Sequence, residues 1–299
     1  MFHHFHGKDH YQSQGSITRD TLVSIIKTVK DESKLISSDV FLDKCLTGQL
    51  KKDEVCLTFD DALLCQYDIA LPVLEDMGLK AFWFINSQSV KNQKGNLELY
   101  RYFRSKYFIS IDQFYEAFNA KIESTGIDIF KHIDDFTNTK YLKEYSFYSE
   151  SDRLFRYFRD VVLGKNKYFS IMDSILDCYG VKKSEIASKI WLSKKNIKEI
   201  NKLGHIIGAH SYSHPTNLKC LSLKEQCEEY RKNILDLKKI IHGEVLSMAH
   251  PCNSYSDDTM SILEDLNIKI GFRSNATLAD FSNFELPRID HVNVLKGIK

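Results

Sequence analysis

The stretch that most constrains this chain is Leu57-Thr58-Phe59-Asp60-Asp61-Ala62, where a run with buried-strand character stops on two adjacent carboxylates. Residues 55 to 59 alternate little between apolar and polar and follow the charged Lys51-Lys52-Asp53-Glu54. That pattern predicts a short strand covered on both faces, as in a parallel sheet. Acidic residues at the C-terminal end of such a strand sit where α/β folds place their chemistry. Two neighbouring carboxylates repel, so both stay ionised only with a cation or strong donors close by. His210-Ser211-Tyr212-Ser213-His214-Pro215 supplies a matching half-site. Two imidazoles four residues apart point at one ion when the turn between them is tight, and Pro215 argues against a continuing helix.

At 299 residues the chain has the length for one large α/β domain or two small ones. His alternating with Phe over residues 1 to 5 predicts a first strand with some His side chains near the mouth of a site, although each His taken singly reads first as exposed or hydrogen-bonded. Thr18 caps an amphipathic helix with apolar residues at 22, 25, 26 and 29. Residues 31 to 53 are polar and irregular, with Phe41-Leu42 and Leu46 as helical anchors. Residues 67 to 78 read as a helix ended by Gly78, with Pro72 either kinking it or restarting it near residue 70. A second buried strand over residues 80 to 85 completes a right-handed βαβ unit. Further strands are expected over 205 to 209, 245 to 249, 269 to 273 and 286 to 294. Between them lie helices over 196 to 203, from the Ser222/Glu225 capping box to about 241, and from Ser256 to about 267. Strands alternating with helices in this way predict a parallel, barrel-like α/β fold.

Residues 95 to 200 break that rhythm. Tyr100-Arg101-Tyr102-Phe103-Arg104, Phe114-Tyr115-Glu116-Ala117-Phe118, Leu154-Phe155-Arg156-Tyr157-Phe158-Arg159 and Ile171-Met172-Asp173-Ser174-Ile175-Leu176 are helical in period and rich in aromatics. They predict a helical subdomain inserted between barrel parts at 1 to 94 and 201 to 299. A lid over the site, an oligomer interface and a packed elaboration are its three readings, with the Tyr, Phe and Arg content taken first as core.

Lys and Arg number 41 against 40 Asp and Glu, a net charge of +1, so nothing global points to nucleic acid or an anionic membrane surface. No apolar stretch approaches the ~20 residues of a membrane span. Met1-Phe2-His3-His4-Phe5-His6 lacks the regions of a secretory signal, which makes a cytoplasmic protein the expectation. The seven Cys, at 45, 56, 65, 178, 220, 227 and 252, have no CxxC spacing and read as reduced thiols rather than a disulfide frame or zinc ribbon.

Thr58-Phe59-Asp60-Asp61, His210-x-x-x-His214-Pro215, Ala249-His250-Pro251-Cys252-Asn253 and Pro287-Arg288-Ile289-Asp290 resemble, in order, the motifs of the polysaccharide deacetylase (NodB-homology, carbohydrate esterase) superfamily. The resemblance implies an incomplete, distorted (β/α) barrel of seven strands. It also makes Asp61, His210 and His214 a metal set with open coordination positions, suited first to Zn2+, with Co2+, Ni2+ or Mn2+ as alternatives. Such a metal polarises a carbonyl and lowers the pKa of a bound water. By the same resemblance Asp60 is the general base; a second metal ligand or a helix cap is the competing reading. A backbone N-H in the third motif, here that of Cys252, would hold the developing oxyanion. The Cys252 thiol as nucleophile has no partner base in the motifs. Many relatives carry an Arg where Ala249 stands, and Arg288 is the candidate replacement, against an exposed salt bridge with Asp290. His291 is the candidate general acid, with His250 or a histidine of the first strand as substitutes, and Asp280 and Phe281 are further candidates for the site.

The function so implied is removal of an N-acyl group, acetyl foremost, from an amino sugar. The expected substrate is a nucleotide- or lipid-linked cytoplasmic precursor of a surface polysaccharide. A formamide or cyclic imide hydrolase on the same metal, and an inactive sugar-binding or scaffold protein, are the alternatives.

Overall fold

The computed structural model describes residues 1–7, 9–92, 95–143, 148–276 and 282–297. They fall into two compact units, Met1–Gly95 with Ser188–Lys299, and Asn96–Ala187.

The first unit is built on a parallel sheet. Two short strands, β1 (Lys34–Leu35) and β2 (Glu54–Val55), pair only with each other. Then β3 (Thr58–Asp60), β4 (Phe82–Ile85), β5 (Ile206–Ala209), β6 (Ser247–Ala249) and β7 (Ile270–Phe272) lie side by side in chain order, parallel throughout. Alternation along β4 sends Phe82 and Phe84 to one face and Trp83 to the other, where Trp83 stacks on Phe59 at 4.6 Å. The rings of Phe82 and Phe84 meet Phe272 at 5.2 and 5.3 Å although β5 and β6 lie between their strands, so the sheet curls around them. Gly208 on β5 permits that curl, because a Cβ there would come within 2.5 Å of the Phe84 ring and 2.8 Å of Ser247 Oγ.

Segments at both edges extend the sheet. Phe2 bridges in parallel to Phe59, and Leu286 to Phe272. The two segments then meet: the Met1 amine donates to the Ile289 carbonyl at 2.8 Å, and His291 N-H to the Met1 carbonyl at 3.2 Å. Five strands, curled into a half-barrel, and one bridged segment at each edge thus make up the distorted seven-stranded barrel that was expected.

Around this sheet α1 (Arg19–Glu32), capped by Thr18, buries Leu22, Ile25 and Ile26. Phe41 of α2 (Ser38–Leu46) packs on Phe82 and Phe272 inside the curl. A π turn, Gln66–Ala70, leads into α3 (Leu71–Asp76), and α4 (Ser87–Asn92) follows β4. The second unit holds α5 (Asn96–Tyr107), α6 (Ile111–Glu123), α7 (Ile129–Thr137), α8 (Glu150–Tyr157), a π turn Phe158–Leu163, and α9 (Gly164–Cys178). Its core is aromatic, with Phe118 edge-on to Phe155 at 5.0 Å and Phe103, Phe114 and Phe158 buried. After α10 (Lys183–Ile190) the chain rejoins the first unit, where Leu192 N-H donates to the Ala62 carbonyl and α11 (Lys194–Lys202) precedes β5. Then come α12 (Leu223–Ile241), α13 (Asp257–Asp265) and α14 (His291–Leu295).

Three local expectations are corrected and one is narrowed. The single strand over 55 to 59 is two, because Glu54 and Val55 pair with β1 while Thr58 to Asp60 pair with β4. Residues 31 to 53 are more ordered than their polarity suggested, since β1 and α2 lie among them. The helix before Gly78 restarts near residue 70, as one of its two readings had it: a π turn over Gln66–Ala70 gives way to α3 at Leu71, and Pro72 enters a first turn that needs no N-H from it. The last segment leaves the extended form at Asp290, whose side chain accepts from Val292 N-H and starts α14. No helix among the described residues is long and apolar enough to cross a membrane.

Candidate metal centre

Asp60 is the last residue of β3 and Asp61 the first beyond it, with the backbone of Asp61 in the left-handed region at φ 80°. The two neighbouring carboxylates therefore take separate courses. Asp61 Oδ1 lies 3.5 Å from His210 Nε2 and 3.3 Å from His214 Nε2, and one donor atom from each of the three residues falls within 4.8 Å of the others.

The loop after β5 is held for this purpose. His210 N-H donates to Asn233 Oδ1 at 3.0 Å, and Asn233 Nδ2 donates to the Ile85 carbonyl at 2.9 Å, so α12 pins the ends of β4 and β5 together. Glu229, four residues earlier on α12, accepts from Ser213 N-H and Oγ at 2.8 and 2.7 Å. His214 N-H donates to Ser211 Oγ at 3.1 Å, closing the tight turn. His210 Nδ1 donates to the Ala249 carbonyl at 2.8 Å, which turns Nε2 toward Asp61. Two imidazole nitrogens and a carboxylate oxygen converging in this way form a donor set that fits a divalent cation.

Asp60 has a different partner. Its Oδ1 accepts from Arg288 Nη1 at 2.7 Å, and both side chains are almost fully buried, 3% and 4% exposed. Arg288 is fixed in turn by Nε donating to the Arg273 carbonyl at 2.9 Å and by Thr58 Oγ1 at 3.3 Å. His3 Nε2 stands 3.7 Å from Asp60 Oδ2. Gln66 Nε2 donates to both the His3 and Asp60 carbonyls, tying the first segment to the end of β3. Burial opposes ionisation of both acids, yet the cations prevail. Arg288, His210 and His3 hold Asp60 below the usual carboxylate range, and His214 and His210 hold Asp61 well below it. Burial likewise resists charging His210, but the neighbouring carboxylates raise it.

Cys252 lies in the short turn Pro251–Asn253 after β6, with φ 51° and an exposed side chain. Of the non-glycine residues with positive φ, Asp61, Ala62, Ser211, His214, Cys252 and Asn253 all sit just beyond the ends of β3, β5 and β6. Backbone in this region costs of order 1–3 kcal/mol per residue, and such strain gathers at functional sites.

Other expected residues lie elsewhere. Arg288 is on Asp60 and not on Asp290, which caps α14. The ring of His291 is buried, stacks on Phe2 at 5.7 Å and has Nε2 on the Gly15 carbonyl at 3.0 Å, which places it in the packing of the ring's joint. His250 is also buried, with Nε2 on the Phe284 carbonyl and burial lowering it to about 4. Asp280 and Phe281 lie outside the described residues. Sequence reasoning missed Asn233, Glu229, Gln66 and Thr58. The available signal was on α12, where Glu229 and Asn233 interrupt a stripe containing Tyr230, Ile234 and Leu237.

The chain matches the family described as Polysaccharide deacetylase over residues 47–171 and 168–271. No curated protein matches it. Among solved structures it is similar to the Streptococcus pyogenes deacetylase PplD in complex with acetate, at 17% identity and TM-score 0.57, over 100% of this chain and 96% of that one. It is similar to IcaB from Ammonifex degensii at 13% identity and TM-score 0.56, over 96% and 88%. A de-N-acetylase from Aggregatibacter actinomycetemcomitans matches at 10% identity and TM-score 0.58, over 99% and 97%. At these identities the structural likeness is one of fold.

Proposed function

The chain belongs to the polysaccharide deacetylase family of amide hydrolases, and on that premise we propose that it removes an N-acyl group, acetyl foremost, from an amino sugar. The observation that carries this reading is the convergence of Asp61, His210 and His214 beside the buried pair Asp60 and Arg288. Those three residues would hold a divalent cation, zinc before cobalt, nickel or manganese for two imidazoles and a carboxylate. When bound, such a cation polarises the amide carbonyl and lowers the pKa of water.

The chain's own residues do the rest. Asp60, kept ionised with Oδ1 on Arg288, takes the proton of the attacking water. Arg288 is anchored on the Arg273 carbonyl and acts by fixing the direction of that carboxylate. The Cys252 N-H donates to the oxyanion, a role independent of its side chain. His3, 28% exposed and beside Asp60, supplies the proton to the departing amine in place of His291.

For the substrate, a nucleotide- or lipid-linked precursor in the cytoplasm is the proposal, and seven Cys without CxxC spacing favour a reducing compartment. Finding the protein outside the cytoplasm on cell fractionation would overturn that part alone.

Metal analysis and turnover of N-acetyl, N-formyl and cyclic imide compounds test the reaction. One metal per chain and acetate release are expected. Asp60→Asn should keep the metal and lose about 10²-fold or more in turnover, whereas His214→Ala should lose both. An imide-only profile would make the protein an imide hydrolase, and absence of metal would make it a binding protein.

A further inference from the structure

Asp61 and Ala62 are consecutive non-glycine residues in the left-handed region, at φ 80° and 59°. Such residues hold that backbone only where their surroundings over-determine it. Because Asp61 is a metal ligand in the proposed function, whatever fixes this turn also aims the carboxylate. Contacts on both sides supply the hold. Asn86, just past β4, donates from Nδ2 to the Asp61 carbonyl at 3.3 Å. Opposite it runs the segment 191 to 192, where Leu192 N-H donates to the Ala62 carbonyl at 2.9 Å and Trp191 forms an antiparallel bridge with Leu63. Ala62, Leu63, Trp191 and Leu192 are all buried, so water does not compete for these bonds.

That segment comes from far along the chain. The first unit breaks off at Gly95 and resumes at Ser188, and its two broken ends meet at the Trp191 ring. A Cβ on Gly95 would come within 2.4 Å of Trp191 Cζ2 and 2.9 Å of Cη2, closer than any side-chain carbon is tolerated. Gly95 is not among the residues with positive φ, so it is space and not backbone freedom that calls for glycine here. The ring is 6% exposed and cannot swing into solvent without unpacking. Its buried Nε1-H has no hydrogen-bond partner among the described residues, so the indole is kept for its shape, whose fit offsets the cost of the orphaned donor.

We propose that Trp191, packed against Gly95, is a positioning residue for the metal: through its bridge to Leu63 and the Leu192 bond to Ala62 it holds the turn that directs Asp61 at the cation. The ends of the interrupted first unit thereby set metal affinity, an inference that rests on Asp61, His210 and His214 being the ligands. A residue that merely closed the root of an insertion would change melting and leave the metal alone. One that orients a ligand from behind changes the affinity itself.

The test titrates Zn2+ into the full chain, stripped of metal, against a coloured chelator, and records the melting temperature of the same samples. Gly95→Ala, whose methyl displaces the ring, and Trp191→Ala, which removes it, should each bind Zn2+ about 10- to 100-fold more weakly than wild type. Gly95→Ala combined with Trp191→Phe should bind more tightly than Gly95→Ala alone, because the smaller ring vacates the space the new methyl needs. Ile240→Ala, in the last turn of α12, should melt lower and bind Zn2+ as wild type does, which separates aim from stability. If Trp191→Ala does not fold, Gly95→Ala and its double variant decide. Wild-type affinity in Gly95→Ala, no recovery in the double variant, or a loss of affinity in Ile240→Ala matching its loss of melting temperature overturns the proposal and leaves the metal reading standing. A wild-type chain that takes up no Zn2+ overturns both.

Discussion

Asp60 and Arg288 form a buried ion pair at the centre of the site, and their value lies in the pairing. Two charges taken out of water recover their desolvation cost only through each other, so removing one partner leaves the other stranded. Arg288→Met is expected to lower stability by about 3–5 kcal/mol in denaturant unfolding. The double variant Asp60→Asn with Arg288→Met should recover a clear part of that loss, and additive losses would show that the pair is not coupled. At this scale the residues that meet in the candidate site could be picked out, because adjacent carboxylates repel unless a cation or strong donors lie close by and a tight His-x-x-x-His-Pro turn can point two imidazoles one way. Arg288 was legible only as one of two readings, since a sequence cannot tell a reach to Asp290 from a reach across the barrel to Asp60. His3 and His291 show the same limit from the other side. Both are histidines on segments that meet at the ring's joint, and only the packing of His291 between Phe2 and Gly15 separates their roles.

Among the elements, the brief β1 and β2 pair depends on a charge that its length conceals. Glu54 is buried at the start of β2, where its carboxylate accepts from Lys44, from Lys34 at 3.0 Å and from Lys51 N-H at 3.2 Å, joining both strands to α2. These hydrogen bonds, Lys44 first, lower Glu54 from its ordinary value of 4.5 to about 2. A carboxyl whose pKa is depressed on folding contributes stability that is fully present above its unfolded value and is lost as pH falls through the folded one. The melting temperature of Glu54→Gln should therefore lie below wild type near neutral pH, and the gap should narrow as pH drops from about 5 to about 3. A gap that stays constant over that interval would assign the effect to packing. The sequence placed the helices well where a cap or a period was local, as with Thr18 and the Ser222/Glu225 box. It failed where pairing was distant: nothing within residues 54 to 60 shows that Glu54 belongs with Lys34 and Thr58 with Phe82. The π turn ahead of Pro72 was hidden for the complementary reason, because helical periodicity does not distinguish a widened turn from an ordinary one.

For the molecule as a whole, the barrel's alternation of strands and helices was readable, whereas its closure was not. Closure depends on residues near the two ends of the sequence, through Phe2 bridging Phe59 and the Met1 carbonyl accepting from His291 N-H. Phe2 is the hub of that joint, buried between Phe59 at 5.3 Å, Phe5 at 6.2 Å and His291 at 5.7 Å. It also fixes the backbone of its neighbour His3, which faces Asp60. A cavity at this position should therefore act on stability and chemistry together. Phe2→Ala is expected to lose about 3–5 kcal/mol, the usual cost of truncating a buried ring. Its turnover should fall while the metal stays, because the loop carrying His210 and His214 is held by α12 and not by the first segment. Unfolding curves, metal content and kcat measured on one preparation decide the matter. Loss of the metal along with turnover would mean that the first segment shapes the whole centre, and unchanged turnover would remove His3 from the reaction.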